Sequence, residues 1–243
     1  MDLPEVIAHR GASADAPENT LAAAALAIEH GASWIEIDVN ISKNGTLFIH
    51  HDDTLDRCTT GSGYLVGTSD ETLATLDAGS WFSTDFGEEP LPTLSQLVKL
   101  LKPHGTGVNL EIKATPGTDV ELAAKVCDFL ESHWPRELPV LASSFSPLVL
   151  EEFRRRLPEQ PLGLLVCAVP GNWLEWMQRY KCNTLHCAEH FATPELCQTA
   201  ESAGYPVLCY TVNDARRAEV LFDMGVSSIF TDHAKQLLTA LQS

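Results

Sequence analysis

The chain has 243 residues, 44% of them apolar, and a formal net charge of −17. This length suits one α/β barrel or two small domains, with enough apolar content for a sizeable core. The acidic excess repels nucleic acid and anionic membrane surfaces, so an anionic ligand has to be attracted locally, by a metal and a few cations.

The N-terminus, Met1-Asp2-Leu3-Pro4-Glu5, is short and acidic and runs into a strand-like Val6-Ile7-Ala8 ending at His9-Arg10-Gly11. No basic segment followed by an apolar one opens the chain, so no signal peptide is expected. No apolar run approaches the ~18–20 residues of a membrane span. A helix is expected from Glu18 to His30 and a strand from Trp34 to Val39, which carries Glu36-Ile37-Asp38.

Asn44-Gly45 between strand-like runs predicts a hairpin with a two-residue type I′ turn. Lys43 then faces Thr46 and Asp38 falls opposite His51, with Cβ atoms about 4.5–5.5 Å apart. Period-2 alternation puts Glu36, Asp38 and His51 on one side and His50 on the other, and a bulge would slip that register by one. The remainder, to Pro92, is rich in Gly, Thr, Ser and Asp and reads as a loop-rich insert (about 40–92) that caps a barrel mouth. Trp81 and Phe82 are candidates for its small core or for an apolar contact surface.

Beyond residue 93, short apolar runs alternate with amphipathic stretches. Strands are expected at Val108 to Ile112, Val140 to Ser144, Leu162 to Val166, Thr184 to Cys187, Val207 to Val212 and Ser228 to Thr231. Helices are expected from Thr93, Thr118, Ser146, Gly171, Thr193, Asn213 and Asp232. All of these except Gly171 are suitable N-caps, and Pro147 and Pro194 stand at first helical positions. Gly204 and Gly225 close helices. Eight βα units in a chain of this length predict a single α/β domain over 1–243, a (β/α)8 TIM barrel with a hairpin-plus-loop insert after strand two. The alternative, an open doubly wound sheet, lacks a GxGxxG or GxxxxGK[ST] after the first strand.

The seven cysteines are odd in number, scattered and without a CxxC pair, which favours reduced thiols and a cytoplasmic location. Cys167 and Cys209 read as small core residues.

Four ionisable clusters end apolar runs: His9-Arg10-Gly11, Glu36-Ile37-Asp38, His50-His51-Asp52 and Glu111-Ile112-Lys113. Charges placed there are costly unless they pair or bind a metal. Glu36, Asp38 and Glu111 are oxygen ligands suited to one divalent cation, Mg²⁺ or Ca²⁺; the competing reading is a buried ion pair of Glu36 with Lys113 or Arg10. His9 and His51 suit an acid–base pair, Arg10 and Lys113 a phosphate. His50 reads as structural, and His186, at a strand end, as a candidate lining residue.

Further motifs are Pro17-Glu18-Asn19-Thr20, Lys43-Asn44-Gly45, His51-Asp52-Asp53-Thr54-Leu55-Asp56-Arg57, Leu91-Pro92-Thr93-Leu94, Ser143-Ser144-Phe145, Tyr210-Thr211-Val212-Asn213 and Phe230-Thr231-Asp232. Together with the four clusters, and in this order from residue 7 to about 232, the chain resembles the glycerophosphodiester phosphodiesterases, most closely their compact cytoplasmic bacterial members. The resemblance implies metal-dependent hydrolysis of a small-molecule glycerophosphodiester to sn-glycerol 3-phosphate and an alcohol. It implies Glu36, Asp38 and Glu111 as metal ligands, His9 and His51 as acid–base catalysts, and Arg10 and Lys113 as phosphate contacts. Tyr210 stands where many relatives carry Trp and is expected at the floor of the glycerol pocket. His9 as first-step base and His51 as acid, through a cyclic phosphate, is the expected assignment. No nucleic acid and no stable membrane association are expected. Competing functions are a lysophospholipase D, which needs an apolar channel, and a barrel that binds phosphodiesters without turnover.

Overall fold

In the computed structural model, which describes residues 2–113, 115 and 117–241, strands and helices alternate along the chain. β1 (Val6–His9) leads to α1 (Leu21–Glu29), β2 (Trp34–Ile41) and the short β3 (Leu47–Ile49), and a loop-rich segment carries α2 (Asp70–Leu73). There follow α3 (Leu94–Leu101), β4 (Gly107–Ile112), α4 (Asp119–Ser132), β5 (Val140–Ser144), α5 (Pro147–Arg156), β6 (Leu162–Val166) and α6 (Trp173–Tyr180). The chain continues with β7 (Thr184–Ala188), α7 (Pro194–Ser202), β8 (Val207–Tyr210), α8 (Ala215–Asp223), β9 (Ser228–Thr231) and α9 (Ala234–Ala240). β1, β2 and β4 to β9 pair in parallel, and β1 joins both β2 and β9, closing the expected (β/α)8 barrel. No helix among the described residues is long and apolar enough to cross a membrane.

Every residue of β2 is buried, as a strand with barrel on one face and helices on the other requires. Its outward Ile35 and Ile37 belong to a large core shared with Ala24 and Ala27 of α1, Leu97 and Leu101 of α3 and Leu122 and Val126 of α4. Each such side chain contributes about 1.5–3 kcal/mol when fully buried. Inside the barrel, Ile7, Trp34, Leu141, Leu208 and Phe230 form a separate apolar layer against which Tyr210 packs.

Thr93, Ser146 and Thr193 cap their helices through the side chain, and Thr93 forms a capping box with Gln96. Two expected caps lie one residue early. Asp214 caps α8 and His233 precedes α9, because the side chains of Asn213 and Asp232 are bonded to each other and to their surroundings. Cys209 is buried as expected, whereas Cys167, just beyond β6, is exposed.

The hairpin differs from its expectation. Val39, Asn40 and Ile41 pair antiparallel with Ile49, Phe48 and Leu47, and the Ser42 amide bonds to the Thr46 carbonyl. The loop therefore has three residues, Lys43-Asn44-Gly45, with Gly45 in the left-handed region at φ 84° and its amide donating to the Ser42 carbonyl. This is the type I turn plus bulge rather than the two-residue turn. The register slips by one, so the His50 amide bonds to the Asp38 carbonyl and His50, not His51, stands opposite Asp38.

The segment after β3 has its own apolar cluster of Phe48, Leu55, Leu65, Leu73, Ala78 and Leu91. Trp81 and Phe82 are outside it; they stack edge-on at 5.7 Å and Trp81 is 39% exposed. Hydrogen bonds that tie the segment to the barrel include Thr115 Oγ1 to Asp53 Oδ1 (2.5 Å) and the Ala22 amide of α1 to Glu89 Oε1 (3.0 Å).

Candidate active site

The parallel register sets His9 beside Glu36, Glu36 beside Asn109, and Asp38 beside Glu111. Strand partners lie about 4.8 Å apart with side chains on a common face, so these groups converge at the C-terminal rim of the barrel. Glu36 and Asp38 are 3% and 1% exposed. One carboxylate oxygen from each of Glu36, Asp38 and Glu111 lies within 4.8 Å of the others.

Cations counter this charge. Lys113 Nζ is 2.6 Å from Glu111 Oε1 and 3.3 Å from Asp38 Oδ1, and Arg10 Nε is 3.1 Å from Asp38 Oδ2. Burial works against the Asp38 carboxylate, but Lys113 and Arg10 hold its pKa far below the usual range. Among the described residues Glu36 has only the Arg10 amide (3.1 Å) as donor. Burial, together with the charges of Asp38 and Glu111, pushes its pKa well above the usual range. The ion-pair reading is thus realised at Asp38 and Glu111 rather than at Glu36. Asn19 fixes Asp38 reciprocally, its Nδ2 donating to Oδ2 (2.8 Å) and its Oδ1 accepting from the Asp38 amide (3.1 Å).

The three carboxylates fit a divalent cation. The donors are hard oxygens, Glu36 Oε1 and Asp38 Oδ1 accept no hydrogen bond among the described residues, and a cation among them would relieve the repulsion that raises the Glu36 pKa.

Both imidazoles are held at Nδ1 by a carboxylate: His9 by Asp232 Oδ1 at 2.7 Å, His51 by Asp52 Oδ1 at 2.6 Å. Each ring therefore turns Nε2 away from its carboxylate, and His9 Nε2 is 3.7 Å from Glu36 Oε2. His51 reaches the rim because the chain bends after Ile49, not through the expected cross-strand pairing. His50 is buried and bonded to the Thr54 carbonyl at 2.8 Å, in keeping with a structural role.

A cavity of about 270 Å³ opens over these groups, lined by His9, Arg10, Glu36, His51, Glu111 and Lys113. Opposite them stands an apolar wall that includes Phe145, Leu165, Tyr210 and Phe230. Tyr210 donates its hydroxyl to the Val166 carbonyl at 2.8 Å and meets Phe145 edge-on at 6.1 Å. His186 lies in the cavity wall, fully buried, and burial pulls its pKa down to about 3. The structure thus brings together all eight residues singled out for the site.

Sequence reasoning gave no site role to Asn19, Glu18, Asp52, Arg57 or Asp232, and read Asp232 as a helix cap. All lie in the motifs quoted above, and for Asn19, Glu18, Asp52 and Arg57 the signal is a polar residue at a loop position where no cap or turn requires it.

A family model described as "Glycerophosphoryl diester phosphodiesterase family" matches residues 9–236. A glycerophosphodiester phosphodiesterase of Caldanaerobacter subterraneus is 34% identical over 244 residues, covering 98% of this chain and 97% of that protein. Among solved structures, an Oleispira antarctica phosphodiesterase in complex with the product sn-glycerol-3-phosphate is 39% identical. Its TM-score is 0.97, over 99% of this chain and 98% of that one. A glycerophosphodiester phosphodiesterase from Agrobacterium tumefaciens is 26% identical with a TM-score of 0.79, over 98% of this chain and all (100%) of that one.

Proposed function

This chain belongs to the glycerophosphoryl diester phosphodiesterase family, and from that premise we propose that it hydrolyses glycerophosphodiesters to sn-glycerol 3-phosphate and an alcohol. Glu36, Asp38 and Glu111 hold one divalent cation, Mg²⁺ or Ca²⁺, and His9 and His51 are the acid–base pair. The observation that carries this reading is the meeting, in one cavity, of a three-carboxylate cluster with two imidazoles, each aimed by its own carboxylate. The product complex of the Oleispira protein supports the choice of substrate class.

A bound divalent cation supplies Lewis-acid polarisation of a phosphoryl oxygen. The rest falls to the chain. Arg10 and Lys113, both in the cavity wall, bind the phosphate oxygens and supply the local positive field that a protein of net charge −17 lacks. His9, donating its Nδ1 proton to Asp232, carries the lone pair on Nε2 and takes the proton of the glycerol 2-hydroxyl as it attacks phosphorus. His51, its imidazolium stabilised by Asp52, gives a proton to the departing alcohol oxygen. Water opens the resulting cyclic phosphate with the two roles exchanged. Tyr210 and Phe145 form the apolar wall against which the glycerol carbons pack. The cysteines, free among the described residues, fit a reducing compartment, and we place the protein in the cytoplasm.

The test is release of sn-glycerol 3-phosphate from glycerophosphocholine, glycerophosphoethanolamine and glycerophosphoglycerol, with EDTA and metal add-back. Metal-dependent release is expected from at least one. No release from any, or release indifferent to EDTA, would overturn the reading. A diester lacking the 2-hydroxyl should be inert, and its turnover would exclude the cyclic route alone.

A further inference from the structure

Arg57 lies on the segment after β3 and, among the described residues, is not part of the cavity wall. Its side chain is 45% exposed, yet its guanidinium is gripped along two edges. Nε and Nη2 donate to Asp52 Oδ2 and Oδ1 at 2.7 and 3.0 Å, and Nη1 and Nη2 donate to Glu18 Oε2 and Oε1 at 2.8 and 2.8 Å. Bidentate pairs of this kind fix orientation as well as proximity.

Each carboxylate so held is itself the partner of a cavity residue. Asp52 Oδ1 holds His51 Nδ1 at 2.6 Å, and Glu18 Oε1 accepts from Arg10 Nη1 at 2.7 Å. The result is a chain of alternating charge, His51–Asp52–Arg57–Glu18–Arg10–Asp38, which crosses from the inserted segment to the loop after β1. Glu18 and Arg10 belong to that loop and His51, Asp52 and Arg57 to the segment. The Arg57 guanidinium is the one link in this chain that joins the two.

We infer that Arg57 is a positioning residue, which sets the spacing between the His51 imidazole and the Arg10 guanidinium and so assembles the cleavage site from two parts of the chain. The inference rests on the function proposed above. Without Arg57, Asp52 and Glu18 face each other with no cation between them, and each is free to swing its own partner out of place. Lysine cannot replace it, because a single ammonium offers no planar fork to two carboxylates at once.

The experiment compares wild type with Arg57→Ala and Arg57→Lys by steady-state kinetics and thermal unfolding. Displacing reacting groups by about 1 Å costs about 10²-fold in rate. Arg57→Ala is therefore expected to lower kcat by about 10–100-fold, with Arg57→Lys little better. The decisive readout is chemical rescue. About 10 mM guanidinium chloride, far below unfolding concentrations, should restore much of kcat in Arg57→Ala, while NaCl at the same ionic strength should not. A wild-type kcat in Arg57→Ala, or a loss that guanidinium does not relieve, overturns the inference, whatever the thermal midpoint. If wild type turns over no glycerophosphodiester, the functional reading fails separately. Calorimetric binding of inorganic phosphate then decides on Arg57: weaker binding in Arg57→Ala supports the coupling to Arg10, and equal binding refutes it.

Discussion

His9 Nδ1 lies 2.7 Å from Asp232 Oδ1, across the seam where β1 meets β9. Asp232 is itself fixed by Ser13 Oγ at 2.9 Å and Asn213 Nδ2 at 2.7 Å. Burial opposes its charge, but the bonds from His9, Asn213 and Ser13 keep its pKa far below the usual range, so it is an anion at any working pH. Asp232→Asn keeps the size of the side chain and presents an amide where the imidazole expects an acceptor. By analogy with the serine-protease triad, kcat should fall by about 10²–10⁴-fold with KM little changed, as measured by initial rates. An unaltered kcat would remove Asp232 from the mechanism.

His51→Ala tests the second imidazole. Loss of a general acid costs about 10²–10⁴-fold in rate. The His51 side chain is 34% exposed, so little packing is lost and circular dichroism should match wild type. Activity equal to wild type would refute its role.

Cation binding should be visible without substrate. Burial and the charges of Asp38 and Glu111 push the Glu36 pKa well above the usual range, and a divalent cation would relieve that repulsion. Mg²⁺ or Ca²⁺ should raise the thermal midpoint of EDTA-treated protein, with a gain of about 2.7 kcal/mol at roughly a hundred times the dissociation constant. Glu36→Gln should abolish most of the rise. A midpoint insensitive to both cations would argue against the carboxylate site.

His186 gives the fold an acid sensitivity. Burial lowers its pKa to about 3, so between that value and the ordinary histidine range the unfolded chain binds a proton that the native state refuses. Stability then falls as pH falls, by about 2 kcal/mol between about pH 7 and about pH 5 from this group. Urea unfolding at the two pH values should show a smaller loss in His186→Gln than in wild type. Equal losses would mean that His186 takes up its proton in the folded state.

Gly163 makes room for that ring. A Cβ there would stand 2.6 Å from both Cε1 and Nε2 of His186. Gly163→Ala should therefore cost about 1–3 kcal/mol through overpacking and push the imidazole into the cavity. Urea midpoints check the cost, and a raised KM checks the displacement.

The barrel was legible because its apolar runs are short, regular and buried on both faces, and because Thr93, Ser146 and Thr193 mark helix starts with their side chains. Glu36 and Asp38 were legible because they interrupt a strand that is otherwise apolar apart from Asn40. The hairpin register was not. Asn-Gly serves two-residue and three-residue loops alike, and here the Ser42 hydroxyl holds the longer one. It accepts from the Asn44 and Thr46 amides at 3.2 and 3.2 Å and donates to Asp70 at 2.5 Å. Asp232 was read as a helix cap because Asp before a helix usually is one. Its bond to His9 is long-range and leaves no local trace. Arg57 lies in a segment without periodicity, where a charge reads as solvated.

Because His9 and Asp232 are 223 positions apart, they meet only where the pairing of β1 with β9 closes the barrel. Glu36, Asp38 and Glu111 come from β2 and β4, which pair with each other and do not need that closure to stand side by side. Losing the β1–β9 seam would therefore take from His9 the carboxylate that aims it while leaving the pairing that sets Asp38 beside Glu111. Products truncated before Asp232 should therefore cleave no phosphodiester.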